Sequence, residues 1–501
     1  ISMFVKFNLF QVDCQTGEKQ DNKYVSNRVQ EVSKSLYEAG LRPGDIILVN
    51  APNCLETCIP IFAGLLNGLA ILPIDFMSTS EENLYYLSLV NPKAVFCCKE
   101  NEDKVKKSVK SINVTPYIVV LDSQENNIDS FTEIYKNDEV EYSVPEFDLS
   151  TPAILICTSG TTGKPKVAII THQNIWCSFP YNFSFFKKFP VSTQSLFFTS
   201  SVQWISGMYL YLGSAIFGFI RIQTSVQITT KVLSEVFNNY KPTFILTNTV
   251  KLTEIFDNCD LGCLEFLFIG GSALNKELEV KFKNRYPNVL YTKGYGMTEL
   301  FQLIFKAETA GPLGSIGKPF TDRYQYRIVN PENGMEITKP HEIGELHVKD
   351  ACKFVGYYKN DEETKKLFTN DGYLKTGDLV YRDEENYYFV VDRLKMTLKY
   401  MGFHVYPQEI EDVLRRHDGV SQAVVTGIPG EGGDLPVALI VKSKDVVTAK
   451  ELIKLVDGSL SDYKRLRGGV VFLKELPLTV THKLDKNKIK EMAQNMKREF
   501  K

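Results

Sequence analysis

A loop rich in glycine and hydroxyl residues is the first part of this sequence that could do chemistry. Residues 158–166 read TSGTTGKPK and combine two glycines, four hydroxyl residues and two lysines. Glycine lets backbone amides approach a ligand closely, and hydroxyl and ammonium groups donate hydrogen bonds to oxygen anions. The composition therefore suits a phosphate group, although a loop of this kind taken alone is equally typical of a surface turn.

The loop does not match the two commonest nucleotide-binding motifs. Counted from Gly160, a P-loop would need glycine at 165 and lysine at 166, and Pro165 breaks that pattern. No G-x-G-x-x-G follows a strand-like run, as a Rossmann dinucleotide site would require. A phosphate-binding role must therefore find support elsewhere in the chain.

Two acidic motifs provide part of that support. YGMTE at 295–299 follows the strand-like VLYTKG, and a carboxylate beside a hydroxyl at the end of a strand can hold a divalent cation. TGDL at 376–379 presents an aspartate at a turn, where it could accept from ribose hydroxyls. Taken singly, such a glutamate is more often a salt-bridge partner and such an aspartate a helix cap.

Basic residues near the carboxyl end provide the rest. The segment DRLKMTLKYMGFHVYPQEIE at 392–411 places Arg393, Lys395 and Lys399 before a predicted helix, and Lys483 lies in the later LPLTVTHKLDKNKI. Each lysine alone is typical of a solvated surface. Five such polar loops in one chain favour a single composite site.

Elements that could position these loops alternate along the chain. Short β-branched runs such as DIILVN, PKAVFCC and TPAILICTS are separated by longer helical patterns, which predicts parallel sheets with crossover helices. From about 314 to 390, short alternating strands punctuated by Gly, Asp, Asn and Pro predict a small antiparallel or barrel-like piece. After Asp392 the pattern is that of a compact α+β unit.

Length and charge limit the class of protein. A chain of 501 residues is too long for one hydrophobic core, so two to four units are expected. With 58 basic against 60 acidic side chains, the net charge of −2 gives no bulk attraction to nucleic acid or membrane. The oligomeric state stays open.

Cysteines and apolar stretches point to an intracellular protein without a membrane span. The ten cysteines include no C-x-x-C and no histidine at metal-ligand spacing, so we expect reduced, mostly buried thiols. The apolar stretches 58–71 and 209–220 are shorter than the roughly 20 residues of a transmembrane helix and predict buried helices. No signal peptide is seen in ISMFVKF, so we expect an intracellular location, cytosolic or peroxisomal. The S-K-L tail typical of peroxisomal proteins is not seen in this sequence.

Together these motifs resemble those of the adenylate-forming superfamily, which includes acyl-CoA synthetases, 4-coumarate–CoA ligases and beetle luciferases. The resemblance extends over roughly residues 20–490, in the order of the family. The matching elements are TSGTTGKPK, GGSAL, YGMTE, GSIGKP, TGDL, the segment 392–411 and the late lysine. The local WISG at 204–207 looks like insect luciferase-like acyl-CoA synthetases.

The resemblance implies a fold and a domain organisation. A large N-terminal domain of βα-type subdomains plus a barrel-like piece, residues 1–392, would bind ATP and an organic acid. A hinge at 393–395 would connect it to a small mobile α+β lid, residues 396–501. The lid would turn between two half-reactions, in which a carboxylate first attacks the α-phosphorus of ATP and a thiol, usually that of coenzyme A, then attacks the acyl-adenylate.

The resemblance also implies roles for individual residues. The implied nucleotide contacts are Thr158, Ser159, Gly160, Thr161, Thr162, Gly163 and Lys166 for the phosphates, Gly270, Gly271, Ser272, Tyr295 and Gly296 for the adenine, and Asp378 with Arg393 for the ribose. The implied catalytic residues are Thr298 on the α-phosphate, Glu299 on Mg²⁺, Lys483 between carboxylate and α-phosphate, Lys399 in the second half-reaction, and also Arg393. Preplaced donors and cations of this kind stabilise the charge that spreads over phosphoryl oxygens.

The pocket for the acid is the part that differs most from relatives. The implied pocket residues are Trp204, Ser206, Gly270, Leu300, Phe301 and Gln302. Trp204 stands where many relatives supply histidine, and the bulky residues after YGMTE would shrink the tunnel and disfavour a fused aromatic acid such as beetle luciferin. Trp204 and Phe301 are equally well explained as core aromatics.

Three functions stay open at this point. The leading interpretation is an ATP-dependent acid–CoA ligase that uses a fatty or arylalkyl acid. The second is a luciferase, which oxidises the adenylate after the same first step. The third is a non-catalytic homologue, because Val167 and His482 replace residues that are usually glycine in the family.

Overall fold

The chain forms two compact units, described separately below. The computed structural model describes residues 10–112, 115–123, 127–135, 142–158, 166–182, 195–271, 274, 276–307, 309, 311–321, 323–401, 403–443, 447–478 and 484–500. The first unit comprises residues 1–325 and 349–373, and the second comprises residues 326–348 and 374–501. The hinge at 393–395 and the domain boundary at 392 stay predictions.

Helices and strands alternate through most of the first unit. The strands are β1 Phe10–Asp13, β2 Lys19–Asp21, β3 Ile46–Asn50, β4 Ala70–Pro73, β5 Ala94–Cys97, β6 Tyr117–Val120, β7 Pro152–Thr158, β8 Lys166–Thr171, β9 Ser195–Phe198, β10 Ile220–Gln223, β11 Phe244–Thr247, β12 Phe266–Gly270, β13 Leu290–Met297, β14 Gln302–Ala307 and β15 Lys318–Pro319. The helices are α1 Asn22–Glu38, α2 Cys58–Leu66, α3 Ser80–Val90, α4 Lys99–Val109, α5 Ile128–Ile134, α6 His172–Asn182, α7 Ile205–Phe217, α8 Thr230–Asn239, α9 Thr249–Asn258, α10 Lys276–Arg285 and α11 Asp361–Leu367, with short 3₁₀ turns at Leu55–Thr57 and Thr298–Leu300.

These strands form two mostly parallel sheets, as the sequence predicts. One has the order β6-β5-β3-β4-β7-β8 and the other the order β15-β14-β13-β12-β11-β9-β10-β1-β2. Every residue of β3 is buried, and the side chains alternate between two apolar clusters, Ile47 and Val49 in one and Ile46 and Leu48 in the other. Burial on both faces is typical of a parallel sheet covered by helices.

The ends of the parallel strands carry antiparallel hairpins. The β7–β8 and β13–β14 pairs are antiparallel, whereas β12 pairs with β13 in parallel. The ends of TSGTTGKPK, Thr158 and Lys166, therefore lie on the two strands of one hairpin. YGMTE spans the end of β13 and the 3₁₀ turn that leads into the second strand of the other hairpin.

The second unit contains antiparallel sheets and a helical layer. Its strands are β16 Tyr324–Val329, which begins in the first unit, β17 Glu336–Ile337, β18 Gly344–Asp350, β19 Leu374–Arg382, β20 Tyr388–Arg393, β21 Leu398–Tyr400, β22 Phe403–Val405, β23 Val420–Gly430, β24 Gly433–Lys442 and β25 Gly469–Leu473. Its helices are α12 Pro407–Leu414, α13 Ala449–Ser459 and α14 Lys486–Asn495, with 3₁₀ turns at Leu394–Met396 and Asp462–Lys464. The sheet orders are β17-β16-β18-β19-β20 and β22-β21-β24-β23, with β25 added to β24. The predicted antiparallel piece and the predicted α+β unit are both confirmed.

The expectation that the two apolar stretches are buried helices is wrong at their carboxyl ends. In 58–71 the helix α2 ends at Leu66, Gly68 takes a left-handed φ of 68°, and the chain continues as β4. In 209–220 the helix α7 is capped by Gly218 at φ 75°, and β10 follows. Glycine in the left-handed conformation ends both helices. Among the described residues, no helix has both the length and the apolar composition required to cross a membrane.

All ten cysteines are free thiols, as expected. Six are buried and four are half-buried, so the prediction of mostly buried, reduced thiols is confirmed. Burial raises the pKa of Cys54 and of Cys157 to about 12, so neither thiol is activated for nucleophilic chemistry.

We predict that Gly207 in α7 tolerates no side chain. A β-carbon at this position would lie 2.1 Å from the backbone oxygen of Ser201, so Gly207→Ala forces the turn before the helix to move. We expect a loss of about 1–3 kcal/mol in the free energy of unfolding, measured by urea denaturation.

The matched control is Gly458→Ala in α13, where nothing lies within 4 Å of an added β-carbon. Alanine favours a helix over glycine by up to about 1 kcal/mol, so this variant should be neutral or more stable. Equal destabilisation by the two substitutions would contradict the close approach at Gly207.

Candidate active site

The hairpin β7–β8 holds the two ends of the predicted phosphate loop. Thr158 pairs with Lys166 across the hairpin, and the Thr158 hydroxyl donates to the Lys166 carbonyl at 3.3 Å. The loop residues between them, Ser159, Gly160, Thr161, Thr162 and Gly163, lie outside the described residues. Their phosphate contacts stay predictions.

Val167, which replaces the usual glycine, is an ordinary strand residue. It pairs with Cys157 in the hairpin, is 1% exposed, and packs in the same apolar cluster as Leu72 and Leu155. Its carbonyl accepts from the Tyr358 amide at 2.7 Å. A valine side chain therefore fits the core here. His482, the other departure from the family, lies outside the described residues.

Lys166 is held by a carboxylate at the place where a phosphate is expected. Its ammonium contacts Glu363 of α11, and the two side chains are 19% and 26% exposed. Hydrogen bonds from Lys166 first, and from Lys366 second, lower the pKa of Glu363 to about 2. The Glu363 carboxylate therefore stays ionised, and paired with Lys166, at any physiological pH.

Tyr357 connects Lys166 to the predicted metal ligand. The Tyr357 hydroxyl donates to Glu299 Oε1 at 2.6 Å, and the Lys166 ammonium lies 5.2 Å from the centre of the same ring. Burial first, and the Glu299 carboxylate second, raise the pKa of the Tyr357 hydroxyl, so it remains a donor. Lys166, at the end of TSGTTGKPK, and Glu299 of YGMTE, which are far apart in sequence, thus meet around one aromatic ring.

The turn that carries Thr298 and Glu299 is closely built. Both residues lie in the 3₁₀ turn after β13, and Phe301 leaves the turn with a left-handed φ of 45°. A β-carbon at Gly296 would lie 2.5 Å from the Gln302 carbonyl oxygen, so only glycine fits there. This close approach fixes the backbone that presents Glu299.

Glu299 fits a magnesium site only as a partial ligand. A carboxylate oxygen suits Mg²⁺, which in nucleotide sites takes one or two protein carboxylates and completes its shell with phosphate and water oxygens. Within the described ranges, no group of three or more His, Cys, Asp or Glu side chains could hold a metal by itself. A single carboxylate of this kind suits a Mg²⁺ ion that binds together with a polyphosphate.

Adjacent strands bring the predicted adenine contacts together. Gly270 at the end of β12 pairs with Gly294 in β13, next to Tyr295, and Gly271 has a left-handed φ of 82°. The Tyr295 ring packs against Phe305 with ring centres 5.9 Å apart. Gly270, Gly271, Tyr295 and Gly296 are therefore close in space, whereas Ser272 lies outside the described residues.

The predicted acid-pocket residues lie on α7 and at the start of β14. Trp204 caps α7 and Ser206 lies in its first turn, both half-buried. Leu300, Phe301 and Gln302 are buried. The Phe301 ring stacks on Tyr209 of α7 at 4.8 Å, and the Tyr209 hydroxyl contacts the Phe301 carbonyl. Phe301 also belongs to a large core cluster, so it both packs the core and joins α7 to the β14 turn.

The second unit contains the predicted ribose contacts. Asp378 in β19 pairs in register with Arg393 in β20, and their side chains form an ion pair at 2.7 Å. Asp378 is buried, while most of the Arg393 side chain is exposed. The structure brings the two residues together as the sequence suggests, and their role toward ribose stays a prediction.

Of the two catalytic lysines predicted in the second unit, Lys399 and Lys483, only Lys399 lies within the described residues. Lys399 lies exposed in β21 and its ammonium is 3.6 Å from Glu332. Lys483 lies outside the described residues.

Sequence reasoning missed Tyr357, Glu363 and Tyr209, and also Arg323, which forms a bidentate ion pair with Asp350. Tyr357 and Glu363 approach the hairpin because Ala168 and Tyr357 form an isolated antiparallel bridge, a pairing that leaves no local sequence pattern. The acidic first turn and basic last turn of α11 are typical of a helix but do not show the partner of its glutamates. These residues reach the site through contacts between segments that are distant in sequence, and local sequence patterns do not show such contacts.

Taken together, a mostly parallel α/β unit with a glycine–hydroxyl hairpin beside a carboxylate, followed by an α+β unit, defines an ATP-dependent adenylate-forming ligase. The chain belongs to the AMP-binding enzyme family. The model of that family, "AMP-binding enzyme", matches residues 14–358, and the model "AMP-binding enzyme C-terminal domain" matches residues 409–483.

The similar proteins include both luciferin monooxygenases and CoA ligases. A luciferin 4-monooxygenase of Photuris pensylvanica is 30% identical over 493 residues, covering 93% of this chain and 88% of the relative. A probable 4-coumarate–CoA ligase 1 of Dictyostelium discoideum is 30% identical over 513 residues, covering 96% and 91%. The ATP-bound structure of MatB from Rhodopseudomonas palustris aligns with a TM-score of 0.86 at 22% identity over 99% of each chain, which establishes the shared fold.

We predict that Glu363→Gln strengthens ATP binding. The Glu363 carboxylate competes with phosphate for Lys166, and a partly exposed ion pair is worth up to about 1 kcal/mol. Its removal should lower the Kd for ATP about 2- to 5-fold in isothermal titration calorimetry.

Glu362→Gln is the matched control, because Glu362 lies on the same helix and pairs with Lys366. This variant should leave the Kd unchanged. Weaker ATP binding by Glu363→Gln alone would show that Glu363 orients Lys166 instead of competing for it.

Proposed function

We propose that this protein is an acid–CoA ligase that activates a fatty or arylalkyl carboxylic acid. A carboxylate oxygen of the acid attacks the α-phosphorus of ATP, the bond to the β-phosphate oxygen breaks, and pyrophosphate leaves. The sulfur of coenzyme A then attacks the acyl carbon, AMP leaves with the carboxyl oxygen, and the thiol proton passes to solvent.

The meeting of Lys166 and Glu299 at Tyr357 is the observation that carries this proposal. Lys166 offers a cation to the departing phosphates, and Glu299 offers an oxygen ligand to the cation that accompanies them. Mg²⁺, when bound there, would neutralise charge on the leaving pyrophosphate. Thr298, beside Glu299 in the same turn, would donate to the α-phosphate.

The remaining assignments follow the proposed reaction. Asp378 would accept from the ribose hydroxyls, with Arg393 holding its carboxylate in place. Lys483 would reduce the repulsion between the carboxylate and the α-phosphate in the first step, and Lys399 would serve the second step. With a different lysine for each step, one enzyme could catalyse both half-reactions.

A luciferase is the second candidate, supported by the 30% identity to the luciferin 4-monooxygenase of Photuris pensylvanica. Against a beetle-type luciferin stand the buried Leu300, Phe301 and Gln302 and the stack of Phe301 on Tyr209. Bulky side chains at these positions would shrink the proposed acid pocket and disfavour a rigid fused-ring acid.

A screen of acids tests the proposed function and the alternative together. The full chain is incubated with ATP, Mg²⁺ and saturated, cinnamic or luciferin acids, with and without coenzyme A, while pyrophosphate, thioester and light are measured. We expect pyrophosphate release with saturated or cinnamic acids and thioester only when coenzyme A is present. Light without thioester would favour the luciferase, and no pyrophosphate with any acid would favour a non-catalytic homologue.

Two lysine variants separate the half-reactions. Lys483→Ala should lower the rate of adenylate formation at least about 100-fold while ATP still binds, because the repulsion of two anions is no longer screened. Lys399→Ala should leave adenylate formation within about 3-fold and slow thioester formation at least about 10-fold. Pyrophosphate exchange reports the first step and single-turnover thioester formation reports the second. Equal loss of both steps in Lys399→Ala would contradict the division of labour.

A further inference from the structure

Two cysteines of the first unit come from segments that meet at the surface of one helix. Cys177 lies in α6, and Cys352 lies in the segment that follows β18. The Cys352 thiol donates to the Gln173 carbonyl at 3.8 Å, and Asn174 Nδ2 donates to the Cys352 sulfur at 3.7 Å. Asn174 Nδ2 also donates to the Cys352 carbonyl at 3.2 Å. The side chain and the main chain of Cys352 therefore lie against the first turn of α6.

The geometry of an α-helix places Cys177 over the same spot. Gln173 and Asn174 precede Cys177 by four and three positions, so all three residues lie on one face of α6. A helical side chain leans toward the helix N-terminus and covers the turn before its own Cα. The Cys177 side chain therefore covers the turn on which the Cys352 sulfur lies, and the two thiols are hydrogen-bonded to each other.

The two thiols differ in their access to solvent. Cys352 is 8% exposed, whereas Cys177 is half-buried and directly follows Trp176, whose side chain is 68% exposed. Burial first, and the hydrogen bond with the Cys177 thiol second, raise the pKa of Cys352 to about 12. Because the thiolate is the form that oxidants attack, a small oxidant meets a reactive sulfur at Cys177 first. An accessible thiol beside a second thiol that can react with it is typical of redox-sensing pairs.

A neighbouring ring connects Cys352 to the candidate active site. Two residues after Cys352, the buried Phe354 packs edge-to-face on Tyr357 with ring centres 5.4 Å apart. Tyr357 in turn donates to Glu299 and faces Lys166. A displacement of Cys352 would therefore reach, through Phe354, the ring that separates the two charged groups.

We propose that Cys177 and Cys352 form a reversible disulfide when a hydroperoxide oxidises the protein. The Cys177 thiolate attacks the distal oxygen of the hydroperoxide, the O–O bond breaks, and the displaced oxygen takes a proton and leaves as alcohol or water. Cys177 then carries a sulfenic acid. The Cys352 sulfur attacks the Cys177 sulfur, the S–O bond breaks, and hydroxide leaves as water with the Cys352 proton. The two thiols lose two electrons, which the hydroperoxide gains.

The disulfide would also weaken the binding of ATP, a consequence that rests on the proposed function. The two sulfurs of a disulfide are about 2.05 Å apart, closer than two thiols in contact, so oxidation draws Cys352 toward α6. Phe354 would transmit this displacement to Tyr357. We expect the Kd for ATP of the oxidised chain to rise about 5-fold or more.

A peptide map of the oxidised full chain tests the disulfide. The protein is treated with a small molar excess of hydrogen peroxide, remaining thiols are alkylated, and the digest is analysed by mass spectrometry without reduction. We expect one dominant cross-linked pair of peptides, which joins Cys177 to Cys352 and disappears after treatment with dithiothreitol. No cross-link, or a cross-link that joins other cysteines in preference, would overturn the proposal.

Single serine variants assign the order of attack. Cys352→Ser removes the second thiol, so the sulfenic acid should persist at Cys177 and be labelled there by dimedone. Cys177→Ser should abolish the cross-link and leave Cys352 unlabelled. Labelling of Cys352 in preference to Cys177 would contradict the proposed order. Cys263→Ser is the matched control, because Cys263 is half-buried like Cys177, and this variant should keep the full cross-link.

Calorimetry with ATP tests the coupling to the nucleotide site separately. The Kd is measured for the reduced chain, the oxidised chain and Cys352→Ser after the same oxidation. We expect weaker binding only in the oxidised unsubstituted chain, with full recovery after dithiothreitol. An unchanged Kd would overturn the coupling, and the peptide map would still decide for or against the disulfide. Failure of the reduced chain to bind ATP would instead reject the proposed function.

Discussion

The structure depends on keeping the ammonium of Lys166 and the carboxylate of Glu299 close together on the two sides of Tyr357. Lys166 and Glu299 have opposite charges and lie on different hairpins, so a neutral spacer must fix their separation. Tyr357 provides it through a hydroxyl bonded to Glu299 and a ring facing Lys166. Because the spacer carries no charge, it neutralises neither ionic group, and the charge that competes with a ligand for Lys166 is that of Glu363.

Much of the surrounding fold exists to hold that geometry. The parallel strands β12 and β13 align Gly270 with Gly294 and so bring the adenine-side residues next to the YGMTE turn. The β7–β8 hairpin fixes the ends of the phosphate loop by pairing Thr158 with Lys166. In the second unit, the register of β19 and β20 places Asp378 opposite Arg393.

The sequence predicts the local parts of this arrangement well and the distant parts poorly. Alternating apolar runs indicate the strands β3, β5 and β7, because period and length are local properties. The apolar stretches at 58–71 and 209–220 mislead because composition does not show that a glycine ends each helix early. Tyr357, Glu363 and Arg323 are invisible in advance, since each acts through a partner supplied by another segment. The contacts of Lys483 and of the loop 159–165 still depend on the resemblance.

The tight turn between β13 and β14 has a consequence for how such an enzyme could diversify. Gly296 admits no side chain against the Gln302 carbonyl, and the proposed ligand of Mg²⁺ lies between them in the chain. A substitution at residue 302 that moves this backbone would therefore also move Glu299. Descendants of this protein that acquire new substrates should accumulate their differences outside this turn, and not at Tyr209, which stacks on Phe301 and contacts its carbonyl.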